Sequence, residues 1–144
     1  MSGNIAIGIQ DFSTIIQGNY FYIDKTPFIK EWWDCGDSAT LITRPRRFGK
    51  TLTMSMVEQF FSIDYAGRSD LFEHLAIWKE EKYRELQGTY PVISLSFARI
   101  KERDYEKTKQ KMCEVLRNIY IKFCYIKDSE KLTDADRAYY ERML

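Results

Sequence analysis

Eight residues, Arg44-Pro45-Arg46-Arg47-Phe48-Gly49-Lys50-Thr51, constrain this 144-residue chain more than any other stretch. Pro45 fixes its own φ, carries no N–H and pushes Arg44 toward extended backbone, so no helix can run through it. Immediately before it, Ala39-Thr40-Leu41-Ile42-Thr43 is uncharged and predicts a short strand. Immediately after it, Leu52, Met56 and Phe60 recur at four-residue spacing with Val57 and Phe61 alongside. That spacing predicts a helix opening at Lys50-Thr51, apolar along a broad stripe and fading by Ile63. The eight residues therefore read as a cationic loop between a strand and a helix.

The remaining elements follow from punctuation. A short helix is expected from Phe12 to Gln17, with Asp11 or Ser13 as cap and Gly18-Asn19 as stop. Tyr20 to Ile23 predicts a second strand, closed by Asp24. Thr26 as N-cap and Pro27 at the first helical position predict a helix to Asp34, closing near Cys35-Gly36, with Phe28, Trp32 and Cys35 on one face. A further helix is expected from Asp70 to Leu86 after a Ser69 cap, carrying Leu71, Leu75, Trp78 and Tyr83. Val92 to Phe97 reads as a strand whose apolar start suits a sheet covered on both faces. Asp104 caps a long helix bearing Tyr105, Met112, Leu116, Ile119 and Phe123, with Cys113 and Cys124 on its core side. A last helix starts at Thr133 or Asp134. No repeat or linker interrupts the chain, which reads as one unit over residues 1–144. The alternation predicts an α/β architecture, a parallel sheet flanked by helices in three layers.

Composition narrows the function classes. Hydrophobic residues are 44% and aromatic residues 15%, enough to fill a core with rings. The 22 basic and 21 acidic side chains leave a net charge of +1, so any polyanion site must be local. Cys35, Cys113 and Cys124 are odd in number and show no zinc spacing, which suits reduced thiols in a cytoplasmic protein. One histidine, His74, excludes mechanisms that need two. No apolar run reaches the length of a membrane span, so no membrane partner is expected.

The cationic loop matches most of the phosphate-binding pattern G-x-x-x-x-G-K-[ST]. Gly49 lets backbone approach a phosphate, Lys50 reaches its outer oxygens, and Thr51 can ligate Mg²⁺. The helix opening there adds its unsatisfied N–H groups and the positive end of its dipole. Arg44 stands where the first glycine belongs. Positive φ at that position would cost about 1–2 kcal/mol, which favours a different loop path over strain at Arg44. Arg46 and Arg47 can replace lost backbone donors with charge-assisted bonds of about 1.5–3 kcal/mol each. Against this stands the frequency with which Gly-Lys-Thr occurs by chance and basic clusters form solvated faces.

The metal-holding acid is harder to place. Val92 to Phe97 runs into Ala98 and Arg99 and supplies none. Asp24 ends a strand-like run but precedes the loop in sequence, and such a residue is more often a turn former; with Thr51 it makes the candidate metal set. Lys25 and Thr26 are candidates of the same standing. Trp32-Trp33 could stack a base, although one of two neighbouring rings is exposed in any amphipathic helix. His74 and the alternating charges from Lys79 to Glu85 read as solvated surface.

Three segments carry a resemblance: Leu41 to Thr51, the element Tyr22-Ile23-Asp24-Lys25-Thr26, and Tyr90-Pro91-Val92-Ile93. Together they resemble the bacterial AAA-ATPase-like family, whose full-length members carry a PD-(D/E)XK nuclease-like domain after the ATPase-like part. The resemblance covers almost the whole chain, and it makes Arg44 a family feature. It implies binding of ATP or GTP with Mg²⁺ through Gly49, Lys50 and Thr51, with Arg44, Arg46, Arg47 and Phe48 as associated loop residues. It also implies a partial P-loop NTPase-like fold, truncated at Leu144, from an ATPase whose hydrolytic site is incomplete here. Nucleic acid would then be a partner of a nuclease-like region beyond Leu144. The competing expectation is a non-catalytic module whose Arg-rich loop binds a nucleic-acid backbone or a partner's acidic groups. Nothing in the residues chooses the base or the oligomeric state.

Overall fold

The computed structural model describes residues 4–5 and 7–144. Its elements are helical: α1 Phe12–Gln17, α2 Pro27–Cys35, α3 Lys50–Phe61, α4 Glu81–Arg84, α5 Tyr105–Lys122 and α6 Asp134–Met143. Short 3₁₀ turns occupy Ile63–Tyr65, Ser69–Leu71, Ala76–Lys79 and Cys124–Asp128. The chain divides into two compact units, Met1–Val92 and Ile93–Leu144.

The expected α/β fold is overturned. Among the described residues there is no strand and no sheet, and β pairing is confined to an isolated parallel bridge between Ser62 and Tyr90. Tyr20 to Ile23, Ala39 to Thr43 and Val92 to Phe97 all lie in irregular backbone. Their side chains show why: Leu41 is 86% exposed and Ile93 62%. Strand propensity is a preference for a pleated, half-buried surface, realised only when a neighbouring chain takes up the N–H and C=O groups. Here Phe21 donates a single backbone bond to Asn4, 3.0 Å, and no ladder follows.

Helix ends follow the sequence more closely. Asp11 caps α1, its carboxylate accepting from the Thr14 N–H at 2.8 Å. Asp104 caps α5 through the Lys107 N–H at 3.0 Å, and Thr133 with Asp136 forms a reciprocal capping box on α6. Pro27 opens α2, and Gly36 closes it in the left-handed conformation, φ 65°. Thr26 departs from expectation, since its side chain makes no cap.

The expected helix from Asp70 to Leu86 is broken by tertiary bonds. The Ala76 N–H donates to Asp24 Oδ2 at 2.7 Å and the Ile77 N–H to Thr26 Oγ1 at 3.1 Å. Two side chains thereby capture amides that a continuous helix would spend on its own carbonyls, and the stretch resolves into 3₁₀ turns followed by α4.

The first unit closes around Phe12, Ile29, Met56, Phe60, Phe72 and Tyr83, all buried. Phe12 stacks on Phe72 at 5.1 Å, and Phe60 meets Phe72 edge-on at 5.1 Å. Trp32 and Trp33 are both partly buried against this core and touch Phe61 at 5.6 and 5.4 Å, so neither ring is a free stacking surface. Ile29, rather than Phe28 or Trp32, is the buried residue of α2, and Cys35 is exposed. The Tyr83 hydroxyl donates to Asp34 at 2.6 Å, fastening α4 to α2. The end of α3 is stitched to residues 88–90 by three backbone bonds. Gly88 donates to Phe60 at 2.8 Å, Tyr90 to Phe61 at 2.8 Å, and Ile63 back to Tyr90 at 2.9 Å.

The second unit is α5 and α6 joined by the Cys124–Asp128 turn. The Tyr140 ring packs edge-on against Tyr120 at 4.9 Å, and its hydroxyl donates to the Tyr120 carbonyl at 2.5 Å. Cys113 and Cys124 are exposed, against the expectation that they share a core face. In this unit burial falls on Phe123, just past the end of α5.

Candidate functional site

The loop before α3 has a path that its sequence does not announce. Positive φ falls at Arg47, 69°, and at Gly49, 73°, whereas Arg44 carries none. The strain that a missing first glycine would have placed on Arg44 is thus absent there, and a left-handed residue appears three positions later. The Lys50 ammonium donates to the Arg44 carbonyl. Arg44, Arg46 and Arg47 are exposed, and the Phe48 ring is 58% exposed.

Gly49 is the N-cap residue of α3, and no side chain caps this end. Its carbonyl accepts the Thr53 N–H at 2.8 Å and the Thr53 hydroxyl at 3.0 Å. The amides of Lys50, Thr51 and Leu52 therefore lie in the first turn, where a helix offers no internal acceptor. A groove of about 790 Å³ is lined by this turn, Gly49 to Leu52, together with Arg46, Arg47 and the segment Ile7 to Gln10. A second hollow, about 200 Å³, shares Lys50 and is lined by Asp24, Lys25, Phe28, Glu31 and Arg44.

Asp24, Lys25 and Thr26 come to the loop from the other side of the sequence. Asp24 Oδ1 accepts from the Thr26 N–H at 2.8 Å and the Thr26 hydroxyl at 2.7 Å, while Oδ2 takes the Ala76 N–H. Both oxygens of Asp24 are thus engaged in holding the chain. Thr26 is fully buried. Lys25 reaches the loop itself, its Nζ donating to the Phe48 carbonyl at 3.3 Å. Its backbone N–H donates to the Tyr22 hydroxyl at 3.2 Å, which in turn donates to Met56 Sδ at 3.3 Å. Burial, opposed by the Lys25 amide and assisted by Asp24, pushes the Tyr22 phenol up to about 12, so the hydroxyl keeps the proton it donates.

The structure thus gathers Arg46, Arg47, Gly49, Lys50 and Thr51 on one groove, with Asp24, Lys25 and Arg44 at the adjoining hollow. It leaves His74 exposed and apart from both. Among the described residues no three His, Cys, Asp or Glu side chains cluster as a metal site. Sequence reading missed the wall formed by Ile7 to Gln10, because a short irregular segment has no periodicity to betray it.

A family model described as predicted AAA-ATPase matches residues 6–144. The chain belongs to the AAA-ATPase-like family. This AAA-ATPase-like chain is also 33% identical over 113 residues to an uncharacterized protein in the vnfD 5′ region of Azotobacter chroococcum mcd 1. The match covers 78% of the chain and 20% of that relative, so the chain spans about a fifth of the curated protein it resembles. No solved structure matches this AAA-ATPase-like chain. None of its described helices is long and apolar enough to cross a membrane.

Proposed function

We propose that this chain binds the phosphates of a nucleotide, ATP by family, in the groove beside the Arg44 to Thr51 loop. The observation that carries the reading is the convergence of the open first turn of α3, left-handed Gly49, and the cations Arg46, Arg47 and Lys50 on one groove. A helix N-terminus attracts anions through its amides and dipole, and here three side-chain charges stand beside it. The groove volume falls within the range of about 300–1,000 Å³ that small-molecule sites occupy. Ile7 and Ile9 offer apolar surface for the remainder of the ligand.

Each residue then has a role. Gly49 brings backbone close to a phosphate, and Lys50 leaves the Arg44 carbonyl for a phosphate oxygen. Arg46 and Arg47 neutralise the outer charge. Thr51 supplies the one hydroxyl suited to Mg²⁺, in keeping with an ion that takes most of its ligands from phosphate oxygens and water. Asp24, with both oxygens engaged, supports the site as a fastening for Lys25.

Thermal unfolding with Mg-ATP, Mg-GTP and pyrophosphate tests this. Ligand at a hundred times its dissociation constant adds about 2.7 kcal/mol, a rise of about 5 °C or more for a domain of this size. Lys50→Ala should abolish the rise without lowering the unliganded midpoint. An unchanged rise in Lys50→Ala would refute the assignment. Steeply salt-dependent oligonucleotide binding that nucleotide does not compete would instead identify the loop as a nucleic-acid contact.

A further inference from the structure

We propose that Lys25 is a positioning residue of this loop, its ammonium holding the Phe48–Gly49 peptide so that the Gly49 N–H faces the groove. The functional half of the proposal rests on the nucleotide reading above, and the structural half on geometry alone. A trans peptide is planar, with its C=O and N–H pointing in opposite directions. Lys25 Nζ draws the Phe48 carbonyl toward itself at 3.3 Å. The Gly49 amide of the same peptide must then point away from Lys25. An amide turned from Lys25 is available to the 790 Å³ groove, which Gly49 lines and Lys25 does not.

A lysine can do this only from a fixed root, because its four-carbon stem is flexible. The root is fixed on three sides. The Lys25 N–H is held by the Tyr22 hydroxyl, itself bonded to Met56 of α3. Asp24 is tied to the Ala76 amide, and buried Thr26 to that of Ile77. The loop end of the contact is equally specific. A Cβ on residue 49 would sit 2.7 Å from Lys25 Nζ, so a larger residue would displace the lysine tip from this position, while the φ of 73° separately favours glycine. Lys25 and Lys50 thus hold two carbonyls of the loop, those of Phe48 and Arg44, with left-handed Arg47 between them.

The test uses the whole chain as wild type, Lys25→Met, Lys25→Arg and Lys50→Ala. Backbone ¹⁵N order parameters are measured at Phe48 and Gly49 without ligand, and affinity for Mg-ATP beside them. Wild type should show values near the rigid limit of about 0.85, and Lys25→Met values below about 0.6 at these two amides alone. Affinity should fall at least tenfold in Lys25→Met, and Lys25→Arg, which keeps a donor, should restore both readouts. Equal order parameters in wild type and Lys25→Met would overturn the proposal. Weakened ATP binding with an unchanged loop would also overturn it, making Lys25 a direct phosphate contact. If wild type and Lys50→Ala alike fail to bind nucleotide, the nucleotide reading falls, and the order parameters still decide whether Lys25 holds the loop.

Discussion

Gln59 and Asp11 meet across 48 residues, Gln59 Nε2 donating to Asp11 Oδ1 at 2.6 Å. The other carboxylate oxygen takes the Ser13 hydroxyl and the Thr14 amide and hydroxyl, so one side chain caps α1 and fastens it to α3. Burial raises the Asp11 pKa, but the bonds from Ser13, Thr14 and Gln59 together outweigh it and hold the carboxyl below its ordinary value. A depressed folded pKa gives stability that is complete above the unfolded value of about 3.9 and is lost as pH falls through the folded value. Denaturation curves between pH 2 and 7 should show this loss below about pH 4 in wild type, and a shallower acid limb in Asp11→Asn.

Thr26 separates hydrogen bonding from shape. Its hydroxyl donates to Asp24 and accepts the Ile77 amide, in full burial. Thr26→Val keeps the volume and leaves that amide unpaired, which should cost about 1–3 kcal/mol in urea denaturation. Thr26→Ser keeps both bonds and should cost less than Thr26→Val.

Arg47 sets stability against binding. Glycine at this position removes a left-handed penalty of about 1–2 kcal/mol and adds unfolded-state entropy worth about 0.5–1 kcal/mol. Arg47→Gly should therefore keep or slightly raise the unfolding free energy while weakening Mg-ATP binding. A loss of both together would show that the Arg47 side chain supports the fold.

Two glycines with nearly the same φ should respond differently to alanine. Gly36, φ 65°, has open space around a new Cβ, so Gly36→Ala should cost only the backbone term of about 1–2 kcal/mol. Gly88, φ 68°, would place its Cβ 2.6 Å from the Ala66 Cα, a backbone atom that cannot swing aside. Gly88→Ala should be clearly the more destabilising in the same denaturation assay.

Local signals in the sequence proved readable where the determining contacts are local. Asp11, Asp104 and Thr133 cap the helices they precede, and Met56 and Phe60 lie on the buried stripe that their spacing implies. Reading failed where distant partners decide. The amides of Ala76 and Ile77 are taken by Asp24 and Thr26, about fifty positions away, which no helical period between Asp70 and Leu86 can reveal. The three strand-like segments failed for the opposite reason, since their residue types suit a sheet and no partner strand is paired with them among the described residues. At the loop, the opening of α3 at Lys50 was legible from the break at Pro45 and the apolar spacing after it, whereas the left-handed turn at Arg47 depends on a backbone path that residue identity does not encode.

The stitches from Phe60, Phe61 and Ile63 to residues 88–90 have a kinetic consequence. They close the stretch between them into a ring whose partners lie 27 to 29 positions apart, from 60 to 88, 61 to 90 and 63 to 90, and loop-closure entropy rises with that separation. Phe12 lies 48 positions from Phe60 and 60 from Phe72, a longer closure that costs about 0.5 kcal/mol more in chain entropy. The shorter closure predicts that the ring forms first and that α1 docks onto it afterwards. Truncations at Phe60 should slow folding, and truncations at Phe12 should chiefly speed unfolding.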